Sequence, residues 1–402
     1  MALVSLFSTR LLQFGFLLLA LFIPFSIAGT NVALGFAALG WLLSLVARRG
    51  FRARPDGLAL AALLMVVAAL PSVLLSENGA RALRDWWSYW EILICFLVGA
   101  HIARVRVREK ALVVLAVSSA LACVVAFVQR AGGLHAGPLH IGAEHRVGGT
   151  LFTMTFAGIL YQLIAFNAGV LARPAPRRGR LWLSLAVAAQ FVALMLTMTR
   201  GAWIAVFAGL GAVAVLARSR AVAIATAGAF AVLMVFANFY ASDQGRTIAV
   251  TEFATAEADR NVSTRLVLWD MSWSMFLDHP LLGVGMGDYS IEAEKRLAER
   301  QVRTTVDSHN VFLQVLATRG LVGFLPFVAF FAVLVRSLWR IAAGSERASL
   351  ARHYAIGALG VTAAVLVGSL TENNVDDSEV FMAFMFLVGV ARSATHPPDE
   401  RG

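Results

Sequence analysis

Residues 181–217 read LWLSLAVAAQFVALMLT, then MTR, then GAWIAVFAGLGAVAVLA. Two apolar runs stand back to back, and the charge at their joint is Arg200. Each run approaches the about twenty residues a helix needs to cross a hydrocarbon core of roughly 30 Å. In lipid the backbone must satisfy its own hydrogen bonds, which leaves helices or a closed barrel. The runs are continuous in Leu, Ala, Val and Phe and do not alternate with polar residues, which selects helices. The joint is too short for anything but a tight helical hairpin, with Arg200 at its end.

The same pattern extends in both directions. Apolar spans are expected at residues 11–28, 31–47, 57–75, 87–103, 111–128, 150–171, 181–199, 202–217, 221–239, 320–338, 354–371 and 379–393. Of the 402 residues, 59% are hydrophobic and 14% charged, against about 25% charged in a soluble globule. The expectation is an all-α polytopic membrane protein of about 12 transmembrane helices, a single integral membrane domain over 1–402. The first run is long for the apolar core of a signal peptide and leads at once into a second, so it is expected to stay as a helix.

The net charge of +10 is explained by topology better than by nucleic acid. With the N-terminus placed in the cytoplasm, 21 of the 34 basic residues fall on short cytoplasmic loops, among them Arg48, Arg49, Arg104, Arg177, Arg218, Arg340 and Arg392. Eight of the others lie in the long segment 240–319, where the charge rule weakens. The positive-inside rule then gives both termini cytoplasmic in an inner membrane, with the polar segment on the periplasmic side. Cys95 and Cys123 fall in apolar spans and read as small core residues, not as a disulfide framework or metal motif.

The irregular sequence lies on that expected periplasmic side. Residues 240–319, between transmembrane helices 9 and 10, form the one long polar insertion. Within it Leu266, Trp269, Trp273, Phe276 and Leu277 recur at spacings of three and four, an amphipathic helix. His279-Pro280 ends it and Gly283, Gly285 and Gly287 read as a flexible turn. Residues 288–304 are a second helical candidate. Asp307 or Ser308 is expected to cap a third helix starting near His309, with Val311, Phe312, Val315 and Leu316 on its apolar face and a break at Gly320. The amphipathic pair suggests a helical lid at the bilayer interface.

Few residues here carry chemistry. Arg200 suits an anionic ligand and equally suits an arginine snorkelling to the interface. Arg265 is a phosphate ligand or a solvated helix charge. His309 has the side chain best matched to accepting a proton near neutrality, and also fits a helix-cap histidine. Asp376, Asp377 and Glu379 either orient a histidine or solvate a loop. His135, His140 and His145 lie five apart, a spacing that fits no helical metal site.

These pieces follow one order: Thr197-Met198-Thr199-Arg200-Gly201-Ala202-Trp203; Arg265-Leu266-Val267-Leu268-Trp269; His279-Pro280-Leu281-Leu282-Gly283-Val284-Gly285-Met286-Gly287-Asp288-Tyr289; and His309-Asn310-Val311-Phe312-Leu313-Gln314 with Gly320-Leu321-Val322-Gly323. In this the chain resembles the O-antigen ligase and polymerase superfamily of bacterial envelope glycosyltransferases. The motif-bearing part runs from about Leu196 to Gly323. The resemblance implies a GT-C-like fold and transfer of a glycan from undecaprenyl diphosphate on the periplasmic face, without metal or cofactor. In the ligase branch the acceptor is a sugar hydroxyl of lipid A–core oligosaccharide. Arg200 and Arg265 match the family's two phosphate-binding arginines, His309 its proposed general base, and Asp377 loosely an acidic position near the last span.

Polymerase-type relatives carry Arg, Gly and then an Asn-Pro-Asn-like turn. Here Arg146-Val147-Gly148-Gly149-Thr150 keeps the arginine and glycine without that turn, which favours ligase over polymerase and leaves Arg146 as a weaker substrate-binding candidate. Protein O-oligosaccharyltransferases share the histidine region but usually continue further, whereas about nine residues follow the last span here. A transporter or flippase is the competing class. Paired broken helices near the midplane, the mark of many transporters, are not apparent in the sequence.

Overall fold

In a computed structural model the chain is described at residues 2–48, 56–132, 146–174, 177–243, 256–299 and 307–395. Among these residues the secondary structure is entirely helical: α1 (Ala2–Phe22), α2 (Ile27–Arg48), α3 (Gly57–Ala68), α4 (Leu70–Leu74), α5 (Gly79–Trp87), α6 (Leu93–His101), α7 (Arg108–Arg130), α8 (Thr153–Leu171), α9 (Arg177–Leu196), α10 (Arg200–Ala217), α11 (Arg220–Asp243), α12 (Ala256–Asp278), α13 (Tyr289–Glu299), α14 (Val311–Gly344), α15 (Leu350–Gly368) and α16 (Ser378–Ser393). Among the described residues ten helical segments are long and apolar enough to cross a membrane, so the chain is a multi-pass membrane protein. The two remaining expected spans are also helical but shorter. One is a 3₁₀ turn, Ser88–Ile92, leading into the nine-residue α6. The other is the 16-residue α16, buried from Val380 to Ala391. Helices α6, α8 and α15 pack around α16; it meets protein where other spans meet lipid, so bilayer thickness does not dictate its length.

Small residues set the packing at the centre. Gly169 of α8 faces Gly357 of α15 so closely that a β-carbon there would sit 2.4 Å from the Gly357 Cα. Lipid tails are as apolar as side chains, so helices in a bilayer gain by close van der Waals approach, which small residues permit. The core that results carries Phe156, Tyr161, Phe166, Phe330, Phe384 and Phe386, all under 2% exposed.

Helix α14 breaks where Gly320 adopts φ 56°, ψ −160°, as its glycine predicts. The break frees the amides of Leu321 and Val322 and the carbonyls of Ala317 and Thr318 from their helical partners. All four are satisfied by the segment between α12 and α13. Leu321 N–H donates to Pro280 O (2.9 Å) and Val322 N–H to Leu281 O (3.1 Å), while Val284 N–H donates to Ala317 O (2.8 Å) and Gly285 N–H to Thr318 O (3.2 Å). Irregular backbone near lipid survives only with such partners. The glycine segment read as a flexible turn is therefore a wedge bonded into a membrane helix. Gly283 (φ 69°) is required by both conformation and space, because a β-carbon would meet Thr318 C at 2.3 Å. Downstream, Asp288 accepts from the amides of Glu77 (2.7 Å) and Asn78 (2.9 Å), tying the wedge to the start of α5.

Helices α12 and α13 enclose a small core of their own, Leu268, Met271, Met275, Tyr289, Ala293 and Leu297, closed by Ala317 of α14. The Tyr289 hydroxyl shares a hydrogen bond with Ser272 Oγ (2.7 Å), and burial pushes its phenol up to about 12, so it stays neutral near pH 7. The inward face of α12 is thus not the stripe singled out from spacing: Leu266, Trp273 and Leu277 are exposed. Helix α12 is apolar on two sides, and periodicity alone does not say which side meets protein. Helix α13 begins at Tyr289, one residue later than expected. Helix α14 is capped by Asn310, whose Oδ1 accepts from Phe312 N (3.0 Å) and Leu313 N (3.1 Å). Asp307 and Ser308 do not cap it, because the helix starts two residues too late for either to reach its first amides.

Candidate functional site

The nine residues between α15 and α16, Ser369 to Asp377, form a folded-back loop. Its start is held by Val311 N–H donating to Ser369 O (2.9 Å), and Glu372 N–H donates to Gly368 O (3.0 Å). At its crest Glu372 reaches two side chains from elsewhere in the chain. Arg265 Nη2 donates to one carboxylate oxygen at 2.8 Å, and His309 Nδ1 lies 3.5 Å from the other. The Glu372 side chain is 10% exposed, His309 25% and Arg265 32%. A charge-assisted bond of this length is a strong contact; the histidine contact is longer.

His309 is fixed by its backbone. It has φ 48°, a left-handed conformation that costs an ordinary residue about 1–2 kcal/mol. Ser308 Oγ accepts from Asn310 N–H (3.2 Å) and donates to Asn310 O (2.9 Å), and Trp269 Nε1–H of α12 donates to Ser308 O (3.1 Å). The helix that brings Arg265 therefore also pins the turn that carries His309.

Arg200 opens α10 and is exposed. Its neighbour Gly201 runs against the same loop: a β-carbon there would lie 2.4 Å from Thr371 Oγ1 and 3.7 Å from Glu372 Cγ. The turn before it is tight, with Met198 at φ 53°. Arg146 braces that turn, donating from Nε to Thr197 O (2.9 Å) and from Nη2 to Thr199 Oγ1 (3.0 Å). Asp377 caps α16, accepting from Val380 N–H (3.2 Å), and takes the Thr155 hydroxyl (2.6 Å). The structure thus brings Arg265 and His309 together on Glu372 with the Arg200 end of α10 alongside. It engages Arg146 and Asp377 in bracing and capping.

Spacing and motif order missed Glu372. Its signal was an acid in a short connection between two apolar spans, where an ionisable residue at a membrane boundary is rare enough to deserve a role. His135, His140 and His145 lie outside the described residues. Among the described residues, His, Cys, Asp and Glu form no group of three or more suited to a metal ion.

Fold and site together define a multi-pass helical membrane protein in which one arginine and one histidine meet on a carboxylate, with the start of α10 packed against the same loop. Residues 185–328 match the O-antigen ligase family, so this stretch of the chain is similar to that family. The match runs from α9 past the break in α14 and includes Arg200, Arg265 and His309; Glu372 lies beyond it. No curated protein matches the chain.

Proposed function

We propose that this protein is a lipopolysaccharide O-antigen ligase of the bacterial inner membrane. It moves O-antigen from undecaprenyl diphosphate to a sugar hydroxyl of lipid A–core on the periplasmic face. The observation that carries the reading is the carboxylate of Glu372 shared between Arg265 and His309. Both termini are assigned to the cytoplasm from the distribution of arginines, and residues 240–319 are assigned as the periplasmic lid.

In this reading the acceptor oxygen attacks the anomeric carbon from the side opposite the diphosphate, inverting the centre. The bond from that carbon to the diphosphate oxygen breaks, and undecaprenyl diphosphate departs with the electron pair. The hydroxyl proton passes to His309. Glu372 beside Nδ1 favours the tautomer protonated there, which makes Nε2 the basic nitrogen. The leaving group is already stable as an anion and needs no acid partner. Arg200 and Arg265 offset the charge that grows on it, as arginines suit forked contacts to phosphate. Donor binding loosens Arg265 from Glu372, and the freed carboxylate then stabilises the imidazolium that forms.

The test is reconstitution. Purified protein in liposomes, supplied with lipid-linked O-antigen, lipid A–core and EDTA, is expected to give glycan-capped core. Absence of that product with an intact protein overturns the ligase reading, and lengthening of the lipid-linked glycan instead indicates a polymerase. In cells, loss of the protein is expected to leave uncapped core while lipid-linked polymer of normal length accumulates.

A further inference from the structure

One buried charge near the site has no part in the mechanism above. Arg319, the residue before the break in α14, has a side chain 8% exposed. Its Nη1 donates to the Tyr89 hydroxyl (2.6 Å), and its guanidinium carbon stands 5.4 Å from the Tyr89 ring centroid. Its Nη2 lies 4.0 Å from Asp376 Oδ1, and its buried Nε has no partner. A charge this enclosed is costly unless paired, and an aromatic face with one distant carboxylate is sparse pairing.

Its surroundings give it a task. Gly323, one turn later, passes so close that a β-carbon there would lie 2.4 Å from the Arg319 Cβ, and Gly283 of the wedge packs on the Arg319 amide. The stem of Arg319 is therefore held by the break and the wedge, while its head meets the 3₁₀ turn and the loop. That loop is the one carrying Glu372, and Asp376 is four residues from it. The α15–α16 loop is anchored to the bundle at Ser369 and Asp377; on the lid side Arg319 faces Asp376, four residues beyond the Arg265–Glu372 pair. Asp85 also feels the Arg319 charge, together with that of Asp376.

We propose that Arg319 is a positioning residue. It holds the Asp376 end of the α15–α16 loop so that Glu372 keeps its reach to both Arg265 and His309. The effect on turnover rests on the ligase reading; the effect on the loop does not. Displacing a reacting group by about 1 Å can lower turnover on the order of 10²-fold. R319M is therefore expected to lower kcat between about 10- and 100-fold with the donor KM changed far less. R319K recovers part of the loss, and D376N reproduces it. Because both residues act through one contact, the R319M/D376N pair is no worse than the worse single variant.

Two measurements separate the outcomes. Amide exchange of residues 369–377 in the purified protein is expected to rise in R319M, R319K and D376N. It should not rise in R392M, which removes a half-buried arginine bonded to Asp56 and Ser337, away from this loop. Unchanged exchange in a folded R319K or D376N overturns the positioning role, whatever the reaction. If the wild type ligates and H309A does not, wild-type kcat in R319K and D376N also overturns it. If the wild type does not ligate while the loop still loosens in these variants, the functional reading fails and the anchoring stands.

Discussion

Helices α8 and α15 meet through glycines with almost nothing between their backbones. Helices α12 and α13 meet the bundle through inserted backbone hydrogen bonds and a small core closed by Ala317, and charges such as Arg296, which reaches Glu292, Asp278 and Ser274, hold the two to each other. Among the described residues no hydrogen bond joins α8 to α15, and the stability of that contact depends on shape. The second depends on directed bonds and carries Arg265, to which the proposed mechanism gives a role. The difference separates what keeps the chain folded in lipid from what aims Arg265 and His309, and substitutions in the two regions should fail in different ways.

The largest expected effect lies on the aimed side. His309→Ala is expected to reduce transfer by about 10²- to 10⁴-fold, the usual range for a general base, with the thermal midpoint in detergent nearly unchanged. Steady-state turnover together with a melting curve checks it; a large drop in melting with intact turnover per folded molecule would reverse the comparison. Next comes the bundle. Gly169→Val forces a β-carbon onto the backbone of α15, and overpacking of this kind costs about 1–3 kcal/mol. Its signature is a lower melting temperature and poor yield, with near-normal turnover in the fraction that folds. Arg265→Ala should weaken donor use by about 2 kcal/mol, the low end for a charge contact that is partly solvated, read as a rise in KM for the lipid-linked glycan. The smallest effect is Arg296→Ala. Its carboxylate partners are partly exposed, so stability should fall by about 1 kcal/mol or less, and raising salt should shrink the gap to wild type.

The split also tracks what could be read before any coordinates. Apolar runs announce themselves locally, because a membrane span is a property of about twenty consecutive residues. All twelve expected spans correspond to helices, even the short α16. The glycine at the break of α14 was equally local. The site was legible only in pieces. Arg200, Arg265 and His309 stand out by motif, but the carboxylate joining two of them is 107 residues from Arg265, and no periodicity connects them. Asp377 stands out in the sequence because it opens an apolar run. An acid in that position is also the ordinary signal for an N-cap, and capping is the contact it makes. The outward stripe of α12 shows the same limit in another form. Spacing identifies a face, while its partner is decided by the rest of the chain.

The wedge at Gly320 bears on how such chains can be recombined. Since Pro280, Leu281, Val284 and Gly285 complete the peptide groups of a broken span, the loop cannot be exchanged with a relative's as a free cassette. A chimera with a foreign insertion would strand four main-chain groups unless its join falls outside the wedge and the break together. Residues 280–322 span all four bonds, so a loop graft that keeps them must carry the start of a membrane helix with it.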